Sequence, residues 1–313
     1  MTGKWLRRAV LLAACASAAV LSACGSSTIE SALAPSRFIA FGDGLSDLGQ
    51  SGSRYTVNDG TVNVWTQQVD TSYGGTLVTQ ASGGTSYARG HARIVGTPDD
   101  VNGSTLTVVQ QVDKFLAADK FGANDVVLLN GGLGDLLVSY NANSSNSASF
   151  AAAMTQAGTD LGTQVRRLVT AGAKYVVVSG MYDVSKSPWG VGTGQASMIS
   201  NGVLKFNSAL LLAINDLGAN VLYIDAAYYY NLVIASPSSY SLTDSTNIAC
   251  TSTDSGAGIG IGNGQVNSSL CTTSTLASGV DYTKYTFADK LYFTPAAQTL
   301  YGTYAYGRMK SRW

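Results

Sequence analysis

Short apolar runs alternate with longer apolar stripes along the chain. Phe38-Ile39-Ala40-Phe41 is a run of four that breaks into Gly42-Asp43-Gly44-Leu45 and turns polar. That pattern predicts a buried first strand leading sharply into a loop. Trp65, Val69 and Tyr73 then recur at helical spacing, as do Val109, Val112, Phe115 and Leu116, with Ala117-Ala118 extending the second helix. A buried strand is predicted over 125–130, closed by Gly131-Gly132. The clearest helix covers 148–171: Phe150, Met154, Ala157, Leu161, Val165 and Leu168 form one stripe, and Gly172 is placed to cap it. A strand at 174–179, a helix over 198–217 closed by Gly218, a strand at 220–225 and a last helix over 295–309 follow. Pro295 suits a first helical turn. Strands alternating with helices of this length argue for a parallel sheet covered on both faces. The expected fold class is therefore α/β, a three-layer α/β/α sandwich around a mainly parallel sheet. No linker divides 37–313, so that span reads as one domain. The stretch 243–278 is long, polar and Gly-rich and reads as a surface excursion.

Composition adds an address. Charged residues make up 12% of the 313 residues and the formal net charge is zero. Nothing points to nucleic acid. Residues 1–23 read as a signal peptide rather than fold: Lys4, Arg7 and Arg8 are basic, and 9–20 is apolar but too short for a span. Leu21-Ser22-Ala23-Cys24 resembles a bacterial lipobox. It has small residues before the cut and a thiol at Cys24 to carry lipid, including palmitate. An ordinary secretory signal with an incidental cysteine is the alternative. Gly25 follows, and by resemblance to lipoproteins that implies sorting to the outer membrane. Acyl chains contribute about 0.8 kcal/mol per buried CH₂ and would hold the protein on the membrane. Residues 24–36 then read as a lipidated tether. Cys250 and Cys271 remain; in an exported chain they are expected to form a disulfide, the alternative being two buried thiols.

Four blocks, in order, carry a family resemblance. They are Phe41-Gly42-Asp43-Gly44-Leu45-Ser46-Asp47, Tyr87-Ala88-Arg89-Gly90, Gly132-Leu133-Gly134-Asp135 and Asp289-Lys290-Leu291-Tyr292-Phe293-Thr294-Pro295. No block is specific alone; together they resemble the SGNH (GDSL) esterases and lipases, in the autotransporter- and phospholipase-like bacterial branch. The resemblance implies acyl transfer from an ester to water. A serine attacks, a histidine three residues after an aspartate takes its proton, and a serine N–H, a glycine N–H and an asparagine amide hold the oxyanion. No metal or cofactor is implied.

Mapped residue by residue, the scaffold is present and the reactive atoms are missing. Gly44 stands at the nucleophile position, Tyr292 at the histidine position and Gly134 at the asparagine position; Asp289 and Gly90 match. A phenol with a pKa of about 10 is a poor general base at neutral pH. In a comparable hydrolase, losing serine or histidine alone costs about a million-fold. The expectation is a catalytically dead or impaired envelope lipoprotein that keeps a cleft for an ester, acyl or glycan ligand, or for an envelope protein.

The alternative is an active esterase rewired around His91, the one histidine in the sequence, paired either with Ser46 as substitute nucleophile or with a water. Against it stands the simpler reading of His91 as a polar loop residue and Ser46 as a helix cap. A dinucleotide-binding turn at Gly42–Gly44 is disfavoured: Asp47 stands at the third glycine position, and Asp43 would repel a pyrophosphate, so Asp43 reads as an acceptor for loop N–H groups.

Overall fold

In the computed structural model, residues 31–96 and 105–313 are described. The signal segment expected over 1–23, Cys24 and the tether up to residue 30 lie outside the described residues. From Leu33 to Trp313 the chain is one compact unit.

The chain opens with β1 (Arg37–Phe41), followed by α1 (Trp65–Ser72), α2 (Val108–Ala118) and β2 (Asp125–Leu129). Next come α3 (Leu133–Asn143), α4 (Ser147–Thr170), β3 (Tyr175–Ser179) and the short α5 (Pro188–Gly192). The rest is α6 (Ala196–Ile214), β4 (Val221–Ile224), α7 (Ala226–Ala235), β5 (Asp244–Ile248), β6 (Tyr285–Phe287) and α8 (Pro295–Arg312). Strands β1 to β4 lie side by side in sequence order, and every pairing is parallel. All five residues of β2 are buried, as a strand with both faces covered requires. Helices α4 and α6 pack along one another, and α1 packs on α8. The result is an α/β/α sandwich.

The α4–α6 seam depends on small residues. A Cβ on Gly158 would lie 2.2 Å from the Phe206 carbonyl oxygen, and one on Gly162 would lie 2.4 Å from the Ala213 Cβ. Helix α6 is long and apolar enough to cross a membrane by composition. Its Ile199, Val203, Phe206, Leu210 and Ile214 are buried in the core.

The sheet has a further edge. Beyond β1, the Ala40 N–H donates to the Thr85 carbonyl at 3.0 Å, and the Tyr87 N–H donates to the Ala40 carbonyl at 2.7 Å. Ser86 thereby pairs in parallel with β1. The segment after β1 thus returns to its outer side, while β2 lies on its inner side. Connections diverge at the carboxyl end of β1. In open α/β sheets that divergence creates the crevice where ligands bind.

Three elements depart from the sequence reading. Helix α3 follows β2 almost at once, started by Gly132 at φ 112°, where only an ending strand was expected. Its sequence, LGDLLVSYNAN, carries too short an apolar stripe to stand out. The excursion at 243–278 begins with β5, whose polar sequence DSTNI hides its pairing with β6. No helix follows Ser46 before α1, so the capping reading of that residue does not hold. The Cys250–Cys271 disulfide is formed, with Cα atoms 5.9 Å apart, and both cysteines are buried.

Candidate active site

The site grows from the exit of β1. Gly42 has φ 154°, and a Cβ there would fall 1.9 Å from the Asn130 Oδ1. Only glycine lets the exits of β1 and β2 approach so closely. The Gln111 side chain clamps the same residue from α2: its Oε1 accepts the Gly42 N–H at 2.8 Å, and its Nε2 donates to the Gly42 carbonyl at 2.9 Å. Asp43 then ties the two exits together. Its Oδ1 accepts from Leu45 N at 3.1 Å and Asn130 Nδ2 at 2.6 Å, and its Oδ2 from Leu133 N at 3.2 Å. This is the structural acceptor that the sequence suggested. Burial raises its pKa, while those donors favour the anion.

Gly44 follows, and the space its side chain would need is filled. A Cβ on Gly44 would stand 2.7 Å from the Tyr292 hydroxyl oxygen and 2.8 Å from its Cε1. The Tyr292 ring is buried, with 2% exposure, in the last turn before α8. Burial drives its pKa well above 10, so it is a neutral phenol at physiological pH. Tyr55 leans on Tyr292, ring centres 4.8 Å apart, and meets His91 edge-on at 5.3 Å. The Tyr55 ring also covers Gly90, where a Cβ would lie 2.1 Å from Tyr55 Cε2. Tyr55 is placed by its neighbours: the Arg54 Nε donates to the Leu48 carbonyl at 3.2 Å, and the Thr56 hydroxyl donates to the Phe293 carbonyl at 2.8 Å.

The oxyanion positions are altered as well. The Gly90 N–H donates to Asp47 Oδ2 at 2.7 Å. The other Asp47 oxygen accepts from Gly49 N at 2.8 Å and Gln50 N at 2.9 Å. A glycine N–H bound to a carboxylate is not aimed at a substrate oxygen. Gly134 lies in the first turn of α3, facing the Gly90 loop. A Cβ there would lie 2.8 Å from the Ala92 carbonyl oxygen and 3.1 Å from that of His91. The adjacent Asp135 accepts the Ile94 N–H at 2.9 Å, and burial lifts its pKa to about 6.

Asp289 holds its own turn instead of a catalytic ring. Its Oδ1 accepts from the N–H groups of Leu291 and Tyr292, each at 2.8 Å, and its Oδ2 from Ser268 N at 2.8 Å. Gly44, Gly90, Tyr292 and His91 meet through Tyr55, with Gly134 beside the His91 carbonyl and Asp289 at the base of the Tyr292 turn. Ser46 lies apart from this group. Its hydroxyl is fully buried, donates to Asn130 Oδ1 at 2.6 Å and accepts from Trp65 Nε1 at 2.8 Å. Its hydroxyl is thus held between Asn130 and Trp65. His91 holds a left-handed backbone, φ 62°, and burial lowers its pKa to about 4.

Sequence reasoning missed Tyr55, Asn130 and Gln111. Tyr55 carries one faint signal: it is a lone aromatic in the polar stretch 49–60. Asn130 and Gln111 act through contacts between distant segments, which no local pattern records.

No family model matches the chain. A protein of Pseudomonas putida, described as an uncharacterized protein in the trpE-trpG intergenic region, is 28% identical over 309 residues, covering 89% of this chain and 49% of its own length. The chain thus spans about half the length of that relative. Among solved structures, a member of the lipolytic protein G-D-S-L family from Veillonella parvula DSM 2008 aligns over 88% of this chain and 99% of its own, with 11% identity and a TM-score of 0.46. Another solved structure covers 89% of this chain and 98% of its own at 15% identity and a TM-score of 0.47.

Proposed function

We propose that this chain is an SGNH/GDSL-type relative whose hydrolytic site has been filled in, a lipid-anchored envelope protein that binds rather than hydrolyses. The observation that carries the reading is the Tyr292 ring standing where a side chain at residue 44 would stand. Four blocks in family order meet around that point, which supports a shared origin. The chemistry of the site supports the loss of the reaction.

An ester hydrolase of this kind needs a hydroxyl that can be deprotonated as it attacks. Gly44 offers none. Nor does it have a base: the buried Tyr292 phenol holds its proton at neutral pH. A third need is a set of donors aimed at the developing oxyanion, and the loss of one such donor costs about 2.7–4 kcal/mol in a related mechanism. Here the Gly90 N–H is bound to Asp47 and residue 134 has no amide side chain. The other reading, an esterase rewired around His91, draws on Ser46 or on a water. Against the first, the Ser46 hydroxyl is engaged by Asn130 and Trp65. Against the second, a ring whose pKa burial lowers to about 4 is a weak base.

The test is turnover of a short-chain nitrophenyl ester by the purified protein, with a fluorophosphonate label alongside. We expect neither turnover nor labelling. Robust hydrolysis abolished by His91→Ala would overturn the reading. Gly44→Ser alone should stay inert, since the ring blocks the new hydroxyl. Gly44→Ser combined with Tyr292→His should return weak hydrolysis, because that pair restores both nucleophile and base and removes the obstruction.

A further inference from the structure

A cavity of about 150 Å³ adjoins the filled site and shares Tyr55, Gly90 and His91 with it. Drug-sized pockets run to about 300–1,000 Å³, so this one suits a single small ring or short chain. Asp47, Arg89 and the hydroxyl-bearing residues Ser51, Ser53, Thr105 and Ser269 complete its lining.

The two charged side chains that line this cavity, Asp47 and Arg89, are opposite in sign and differ in how far their hydrogen-bonding groups are used. The Asp47 carboxylate already accepts three backbone N–H groups, from Gly49, Gln50 and Gly90. His91, a buried lining residue, is uncharged at neutral pH because burial lowers its pKa to about 4. The nearby Asp254 carboxylate is half-buried and bound to Asn267 Nδ2 at 2.9 Å and Gly256 N at 2.8 Å. Arg89 is different. Its backbone is fixed by the Gly42 carbonyl at 3.1 Å, yet among the described residues its guanidinium makes no hydrogen bond and no ion pair. It feels the Asp47 charge only at a distance. A half-buried arginine with its guanidinium donors unused among the described residues, lining a polar cavity, is a site for an anion.

The lining narrows the class. One guanidinium matches one planar carboxylate through two parallel hydrogen bonds. Phosphate-rich ligands call on clusters of arginines, and only one lines this cavity. The remaining polar lining is mostly hydroxyl, able both to donate and to accept, as a polyhydroxylated ligand requires. We propose that this cavity binds a small hydroxylated carboxylate of the size of a hexuronic acid, with Arg89 holding its carboxylate and Ser51, Ser53 and Ser269 meeting its hydroxyls. The proposal rests on the binding reading above by naming a ligand class. It stands apart from the catalytic argument, since none of the three serines nor Arg89 belongs to the filled site.

The experiment is calorimetric or NMR titration of the purified protein with glucuronate, glucose, acetate and inorganic phosphate. We expect glucuronate to bind, and glucose and acetate to bind at least about tenfold more weakly, each lacking half of the recognised groups. Arg89→Gln should weaken glucuronate by about ten- to a hundredfold, the range of a lost hydrogen bond to a charged group. Arg89→Lys should fall between, keeping charge but losing the two-pronged geometry. If Arg89→Gln does not fold, Ser269→Ala serves, with an expected loss of about three- to tenfold. No binding by the unsubstituted protein, equal binding by the Arg89 and Ser269 variants, or phosphate bound more tightly than glucuronate would each overturn the proposal. Ester turnover by the same preparation would overturn the non-hydrolytic reading and leave this one standing.

Discussion

At residue 44 the absence of a side chain and the presence of the Tyr292 ring are two sides of one contact. Gly44→Ala should therefore cost about 1–3 kcal/mol, the usual penalty for overpacking a filled core. Tyr292→Ala should cost about 3–5 kcal/mol by leaving a cavity. In the double variant the first penalty should vanish, because the added methyl no longer meets a ring. Urea unfolding of the four proteins measures that coupling, and additive losses would contradict the contact. His91 and Asp135 make a second pair at this scale, opposite in sign. Unfolded His91 takes a proton at about pH 6.5 and the folded residue only at about 4, so its contribution is present above 6.5 and is lost as pH falls through that window. The gap of roughly 2.5 units is worth about 3 kcal/mol. Asp135 is raised from 3.8 to about 6, so its contribution is present at low pH and is lost as pH rises through 6. His91→Asn, whose side chain tolerates a left-handed backbone, should flatten the loss of stability between pH 6.5 and 4. Asp135→Asn should steepen it. Denaturation midpoints against pH distinguish the two slopes.

At the scale of elements, the excursion that leaves β5 is tied down by a covalent bridge and by hydrogen bonds from other parts of the chain. Cys250–Cys271 closes it, Asp289 accepts Ser268 N, and the Asn58 N–H donates to the Cys271 carbonyl at 2.8 Å. A bridge closing 21 positions should contribute about 2–4 kcal/mol. Reduction, or Cys250→Ala with Cys271→Ala, should lower the melting temperature accordingly, and an unchanged melting curve would contradict this role. Most elements were legible because their apolar spacing is strong. The stripe from Phe150 to Leu168 and the run from Val126 to Leu129 announce a helix and a strand without help. Helix α3 and strand β5 were not legible, since α3 is started by a left-handed Gly132 and β5 gains its partner from a segment some forty residues on. Much the same division runs through the site. Gly44, Gly90, Gly134, Asp289 and Tyr292 stand in ordered blocks and can be read off. Tyr55, which packs on Tyr292 and covers Gly90, sits in a loop whose course is set in part by the Thr56 hydroxyl bonding to the distant Phe293 carbonyl.

For the whole molecule, the proposed anchor decides where the cavity and the filled site work. With lipid at Cys24 and a tether ending near residue 36, the folded unit would be held at a membrane surface. Metabolic labelling with an alkynyl palmitate should mark the protein, and Cys24→Ala should lose the label and shift the chain to the soluble fraction. Label retained in that variant would refute the anchor.

The manner in which Asp289 holds its turn bears on history. Its three donors are the main-chain N–H groups of Ser268, Leu291 and residue 292, and a histidine at 292 would supply the last of these as well as a tyrosine does. On the ancestry proposed here, the histidine could be exchanged for tyrosine without loosening the turn. The reverse path is steeper. Once a ring rests on Gly44, a serine cannot return there until the ring has gone, and a histidine that returns first finds no hydroxyl to serve. Neither single step restores function, and the first of them carries a packing cost. The site behaves as a ratchet: cheap to close, and openable only by two changes made together.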